Sequence, residues 1–315
     1  MPHLYQILVL LTVLLVRDDA LVLLSVLSNA RGAPSADRIV GAVAQDSVIM
    51  EIRFSGEVRT VQRSRGAGDP WGSWASREAF GPGEHILLPG QADSFYVVHP
   101  ENGLASVVGQ DLSVSRRFRV SPPGRIRAAS AAAGQRSSIE AFTVLADGLD
   151  GTLTISMVGP DGETEEIASI QPSDVEWTDE LPVTILAHES EIWLTQDGTT
   201  VWRLDRGGSR WARIDLTNEV RGDVNPSSPG SYLARRATRL IAVGPDQFVL
   251  SVFQPATASS TVLWLHRSGE VSARSRVVGL FRVEDVLPND DLLVIRSLRG
   301  EQLAIYRHSS AGEEF

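Results

Sequence analysis

The chain has no cysteine. That excludes a disulfide framework, a thiol nucleophile, a thiolate-bound iron–sulfur cluster, a cysteine zinc site and a lipid-modified cysteine. It has no lysine either, so all 29 basic residues are arginine. Schiff-base catalysis and the phosphate-cradling lysine of a P-loop are excluded with it. An all-arginine basic set is what a GC-rich genome produces, so this absence removes chemistries without assigning one. Positive charge is also short: 29 basic against 39 acidic residues leave a net charge of −10. Such a chain repels a phosphate backbone, and nucleic acid is not an expected partner. Stretches with helical period are missing from Arg38 onward.

What is present suits a packed core. The 315 residues are 43% hydrophobic and 22% charged, enough for one large domain or two ordinary ones and unlike a disordered chain, coiled coil or fibre. The N-terminus is strongly apolar. Ile7 to Val16 is broken only by Thr12, then Arg17, Asp18 and Asp19 interrupt, then Ala20 to Leu27 is broken only by Ser25. Ser28-Asn29-Ala30 has the small-x-small pattern of a signal-peptidase site. This predicts an export signal over residues 1–30, a mature domain over 31–315 and a periplasmic or secreted location. Two features oppose it: the n-region has no arginine, and three charges sit inside the apolar stretch. Three charges at a bilayer centre would cost roughly 2.5 to 3.5 kcal/mol each, so no stable membrane span is expected after processing. A cleaved signal, an uncleaved anchor and closing strands of the fold all stay open.

Beyond Arg38 the chain reads as short β-type runs set off by Gly, Pro, Asp and Ser, as in Gln247-Phe-Val-Leu-Ser-Val-Phe and Asp291-Leu-Leu-Val-Ile. One apolar anchor per unit, taken at Val48, Phe95, Phe142, Ile192, Phe248 and Leu292, gives intervals of 47, 47, 50, 56 and 44 residues. A period in the forties to fifties, with about four strands per unit, is that of propeller blades. Glycine turns at Gly56, Gly162, Gly207–Gly208, Gly269 and Gly312 run in parallel and are expected before the last strand of most units. Ala128 to Gly134 reads as a poor strand. The prediction is an all-β fold, a propeller of six four-stranded blades.

A resemblance adds to this. Arg38-Ile-Val-Gly-Ala-Val with Met50-Glu-Ile-Arg-Phe-Ser-Gly-Glu-Val-Arg-Thr-Val, and Gly81-Pro-Gly-Glu84 leading to Leu88-Pro-Gly-Gln-Ala-Asp-Ser-Phe-Tyr-Val-Val, resemble blades of the bacterial six-bladed, NHL-like β-propeller proteins. The resemblance covers most of residues 38 to 315 and implies a fold, since its motifs are turns and strands rather than reacting groups. Blade six, from Phe281, runs out of chain before its outer strand, and blade one, from Arg38, reads as lacking its innermost strand. Propellers avoid open edges by pairing their chain ends. The first thirty residues are therefore expected to supply two strands, with Pro34 to Arg38 as a weaker substitute.

The search for chemistry yields little. The six histidines, His3, His85, His99, His188, His266 and His308, form no local metal pair, and no G-x-S-x-G elbow or H-E-x-x-H motif occurs. Thr195-Gln-Asp-Gly-Thr-Thr-Val-Trp202 is similar to a sialidase-type Asp-box hairpin, a turn-stabilising device. Trp71 and Trp74 in a glycine-rich loop are candidates for stacking a ligand or for plugging two blades. Arg235, Arg236 and Arg239, beside the long loop from Asn225, are candidates for an anion cluster. Glu284 and Asp285 are candidate cation ligands at the channel. The expected function is a non-catalytic module that binds a small molecule or protein, without a cofactor. The alternatives are a lactonase-like hydrolase or lyase using a divalent cation held by channel carboxylates, and a sandwich-type adhesion module. Carboxylates converging from several blades would favour the enzyme; a channel of mixed apolar and arginine residues would favour binding.

Overall fold

The computed structural model describes residues 20–29, 38–63, 71–90, 93–120, 124–133, 142–148, 150–159, 161–175, 182–205, 210–220, 236–287, 289–297 and 301–309. These fold into a six-bladed propeller of antiparallel four-stranded blades. Blade one is β2 (Ile39–Gln45), β3 (Val48–Arg53), β4 (Glu57–Gln62) and β5 (Ala75–Glu78). Blade two is β6 (Ile86–Pro89), β7 (Ser94–His99), β8 (Leu104–Gly109) and β9 (Val114–Arg119). Blade three is β10 (Ile126–Ala133), β11 (Phe142–Asp147), β12 (Leu153–Val158) and β13 (Thr164–Ile170). Blade four is β14 (Thr184–His188), β15 (Glu191–Thr195), β16 (Thr200–Asp205) and β17 (Trp211–Asp215). Blade five is β18 (Arg236–Ala242), β19 (Gln247–Gln254), β20 (Ser259–His266) and β21 (Val271–Val278). Blade six is β22 (Leu280–Val286), β23 (Leu292–Ser297), β24 (Glu301–Ser309) and, from the other chain end, β1 (Ala20–Asn29).

Burial grades outward across each blade, and the sequence pattern follows it. The inner strands lie between two neighbouring blades, so they read as continuous apolar runs; every residue of β3 and of β15 is buried. The outer strands face water, as in β9 with Arg116, Arg117 and Arg119. All six apolar anchors fall on the second strand of their blade and are at most 2% exposed. The core divides into six apolar clusters, each shared by two adjacent blades: Met50 packs with Phe95, Tyr96 with Phe142, Ile155 with Ile192, Trp193 with Phe248, Val249 with Phe281, and Leu293 with Ile49. The last pair returns to blade one, so the ring closes. Each fully buried side chain of this size stabilises by about 1.5 to 3 kcal/mol, and a ring distributes that over every seam.

The recurring glycines have two jobs. Gly269, at φ +91°, sits in the turn before the last strand of blade five, and a Cβ there would lie 2.7 Å from the Ile214 side chain on the outer strand of blade four. Gly162 makes the same approach to Phe118 of blade two. Positive φ and the close approach between neighbouring blades both demand glycine.

Closure differs in detail from the sequence expectation. Antiparallel β1 pairs with β24 from Ala20↔Ser309 to Asn29↔Gln302 and completes blade six. The N-terminal segment thus contributes one closing strand, and blade one lacks none. Its inner strand is β2; the strand that escaped notice is the outermost, β5, whose four residues Ala-Ser-Arg-Glu are all exposed and carry no apolar pattern. The Gly56 turn accordingly precedes the third strand of blade one rather than the last. The alanine-rich run from Ala128 is β10, an inner strand, where small side chains suit the crowded axis; its end pairs in parallel with β14 through Ala132↔Ala187 and Ala133↔His188. Residues 34–37, the substitute closure, and the Gly207–Gly208 and Gly312 turns lie outside the described residues. No helix among the described residues is long and apolar enough to cross a membrane.

Candidate functional site

The inner strands all begin at the same end of the ring, and their first residues form the mouth of the axial channel. Four of them, β2, β10, β18 and β22, carry a register shift within their first six residues. Such bulges twist a strand and re-aim its side chains. The mouth is a cavity of about 480 Å³ walled by all six blades, through Val40, Ile86, Arg125, Val183, Arg239 and Arg282 in blade order. Below it the channel narrows to about 90 Å³ between Val43, Leu88, Ala129, Ile185 and Leu240, with Arg239 and Glu284 reaching both levels.

Most charges at the mouth are already paired. Arg127 Nε donates to Asp147 Oδ1 at 2.7 Å. Arg38 pairs with Glu84, and Arg282 pairs with Glu284 while its Nη2 donates to the Val40 carbonyl at 2.8 Å. The second Glu284 oxygen accepts the Ala42 amide at 3.4 Å. Next along β22, Asp285 accepts the Ala44 amide at 2.8 Å on Oδ2 and the Val286 amide at 2.8 Å on Oδ1. These two carboxylates therefore tie the inner strand of blade six to that of blade one, doing across a blade seam what backbone carbonyls do within a sheet. Both come from one blade, and among the described residues no group of three or more His, Asp or Glu is placed to hold a metal ion. Arg239 and Arg125 have no ion pair or side-chain hydrogen bond among the described residues.

The other sequence candidates lie elsewhere. Trp71 and Trp74 pack at the seam of blades six and one beside Leu27. Trp74 Nε1 donates to the Leu27 carbonyl at 2.8 Å, and the Arg59 guanidinium lies 5.0 Å over its ring. Arg236 opens β18, the described residues do not include its side chain, and Arg235 lies outside them with residues 225–234. In the Asp-box-like hairpin Asp197 Oδ1 accepts the Thr199 amide at 2.9 Å and Thr195 Oγ1 donates to the Thr200 carbonyl at 2.8 Å, which holds a turn. Arg125, Arg127 and Arg282 escaped the sequence reading, which weighs His85 only as a possible metal ligand. Their shared signal is position: each lies at or just before the start of an inner strand, one strand ahead of a second-strand anchor.

Beside the mouth, His85 and His99 stack edge to face with ring centroids 4.5 Å apart, against Phe80. His85 Nδ1 donates to the Gly83 carbonyl at 2.8 Å, and the Nε2 atoms of both rings are buried without a partner among the described residues. Burial lowers the His85 pKa against the opposing pull of the Gly83 carbonyl and Glu84. Burial first, then His85 and Arg117, lowers that of His99 to about 4. The unfolded chain, with both near 6.5, takes up protons that the fold refuses. Stability is thus full above about pH 7 and is lost as pH falls from 6.5 toward 4, by about 1 to 2 kcal/mol for His99 after allowing for partial solvent screening. Thermal melts at pH 7.5 and 5 should show a smaller acid-induced fall in Tm for His99→Phe than for the parent chain.

No protein-family model matches the sequence. No curated protein matches it. Solved structures do. The WD40 repeats of RRP9 align at 9% identity and a TM-score of 0.57, over 92% of this chain and 100% of that one. U3-55K aligns at 10% identity and 0.53, over 89% and 97%. WD40 repeats are propeller blades, and at these identities the likeness concerns the fold.

Proposed function

We propose that the protein is a non-catalytic binding module that presents the mouth of its channel to a partner protein or small ligand. The observation that carries this is a cavity of about 480 Å³, built by all six blades, whose wall mixes apolar side chains with arginine while its channel carboxylate, Glu284, is tied up. A rigid ring with adaptable residues at strand starts is a platform for recognition. The WD40-type neighbours support a protein partner by analogy of fold. Action outside the cytoplasm, in the periplasm or after secretion, belongs to the same proposal and rests on the apolar run Ile7 to Val16 ahead of the closing strand. Kinship with NHL-like propellers rests on the blade motifs quoted above.

The test compares charge reversal at two places. Arg125→Glu with Arg239→Glu changes the mouth; Glu165→Arg changes the exposed outer strand of blade three. Proteins captured from host extract by the parent chain should be lost with the mouth variant and kept with the outer-strand variant. The reverse pattern would refute the proposal. So would turnover of lactone or ester substrates that a chelator abolishes, which is the signature of the rival metal-dependent enzyme.

A further inference from the structure

We infer that the mouth of the ring takes an organic carboxylate with an apolar body, anchored deep by Arg239 and at the rim by Arg125. This rests on the binding reading above and names the chemistry of what is bound.

The argument starts from charge. Four guanidiniums and three carboxylates line the mouth: Arg125, Arg127, Arg239 and Arg282 against Glu84, Glu101 and Glu284. The pairs Arg127–Asp147, Arg38–Glu84 and Arg282–Glu284 neutralise most of them. What remains is Arg239 and Arg125 against the exposed Glu101. Arg239 is half-buried and lines both the mouth and the narrow channel below it. Glu284 is beside it in the channel, but both oxygens of that carboxylate are held, by Arg282 and by the Ala42 amide. A guanidinium taken partly out of water without a partner is costly, and a carboxylate that meets its fork bidentately removes the cost.

Two features narrow the class of ligand. The surplus of one positive charge suits a monoanion better than a phosphate dianion. The rest of the wall, with Val40, Ile86 and Val183, suits an apolar body. A volume of about 480 Å³ fits a small acid or the last residues of a peptide, and lies within the usual range of small-ligand sites. A free acid and a peptide C-terminus share this chemistry.

The probes are N-acetyl-leucine and N-acetyl-leucinamide, with a leucine-ended hexapeptide carrying a free or amidated C-terminus, titrated into the full chain by calorimetry. The acid is expected to bind at least about tenfold more tightly than its amide, and Arg239→Met to remove about the same factor. Arg125→Gln should weaken binding a few-fold, and added salt should weaken it further. A free hexapeptide that binds more tightly than N-acetyl-leucine identifies a peptide terminus as the source; equal or weaker binding identifies a free acid. Should Arg239→Met fail to fold, Arg239→Lys keeps the charge, loses the fork and should bind between parent and amide levels. Equal binding of acid and amide, parent-like binding by Arg239→Met, or no saturable binding of the acid at millimolar concentration overturns the inference. Partner capture that still depends on the mouth then leaves the binding reading standing, whereas capture indifferent to mouth charge reversal removes that reading by itself.

Discussion

A chain that begins at Arg31, as a signal-peptidase cut after Ala30 would leave it, is expected to lose its cooperative thermal transition or to melt more than about 10 °C lower. Such a chain has no β1. The free edge of β24 would then be unpaired along Gln302 to Ser309, and the seam cluster would lose Leu27 over Leu303 and Ile305. Exposure of even three such side chains costs on the order of 5 kcal/mol, comparable to the whole stability of many domains. A chain beginning at Asp19 keeps the strand and should melt like the full chain. Protein taken from its native host should correspondingly have an N-terminus upstream of Ala20. A chain starting at Arg31 that melts normally would mean that closure does not depend on this strand. The cost of leaving β1 in place is visible in its surface: Leu23, Leu24 and Val26 are exposed, on an outer strand without the charges that mark the other five.

The second large effect belongs to Glu51, a fully buried carboxylate on β3. Its Oε1 accepts from Arg59 Nη1 at 3.0 Å, Arg53 Nε at 3.2 Å and Ser28 Oγ at 3.2 Å. Ser28 belongs to β1, and Arg59 covers Trp74, which in turn holds the Leu27 carbonyl. The cluster therefore latches blade one onto the closing strand. Replacing Glu51 by alanine leaves the nearly buried Arg53 only the more distant, part-exposed Glu57 carboxylate at 3.9 Å, which costs about 3 kcal/mol, the low end for breaking a buried pair. The expected fall in Tm is on the order of 10 °C, with Glu51→Gln falling between parent and alanine because it keeps the shape and loses the charge. A change of less than about 2 °C for the alanine variant would show that packing alone holds the seam.

The fold was legible in the sequence where burial is two-sided. Second strands such as Phe142–Asp147 and Gln247–Gln254 are apolar on both faces, so they stand out at a regular spacing whatever the loops do. Outer strands are defined by pairing with a neighbour and not by pattern; β5, Ala-Ser-Arg-Glu, has no apolar residue larger than alanine, and missing it moved the gap in blade one from the outside to the inside. The run Ala20–Asn29 was ambiguous for a physical reason as well, since a closing strand and an export signal are both short apolar segments. The site was less legible. Arg239, Glu284 and Asp285 could be named as charges near a channel, but only the fold shows that the carboxylates are spent on the amides of Ala42 and Ala44 while the arginine is not. Arg125 could not be found without the blade phase, because nothing local distinguishes an arginine entering an inner strand from one on the surface.

Because the chain has no cysteine, closure of the ring can be tested by a single introduced pair. Leu21 on β1 faces His308 on β24 in the antiparallel register. Leu21→Cys with His308→Cys should oxidise to an intrachain disulfide in the folded monomer, read by mass spectrometry, while Leu21→Cys with Arg307→Cys, whose side chain points to the opposite face, should stay reduced. Oxidation of the second pair in preference to the first, or only intermolecular disulfides from both, would contradict a propeller closed by residues 20–29.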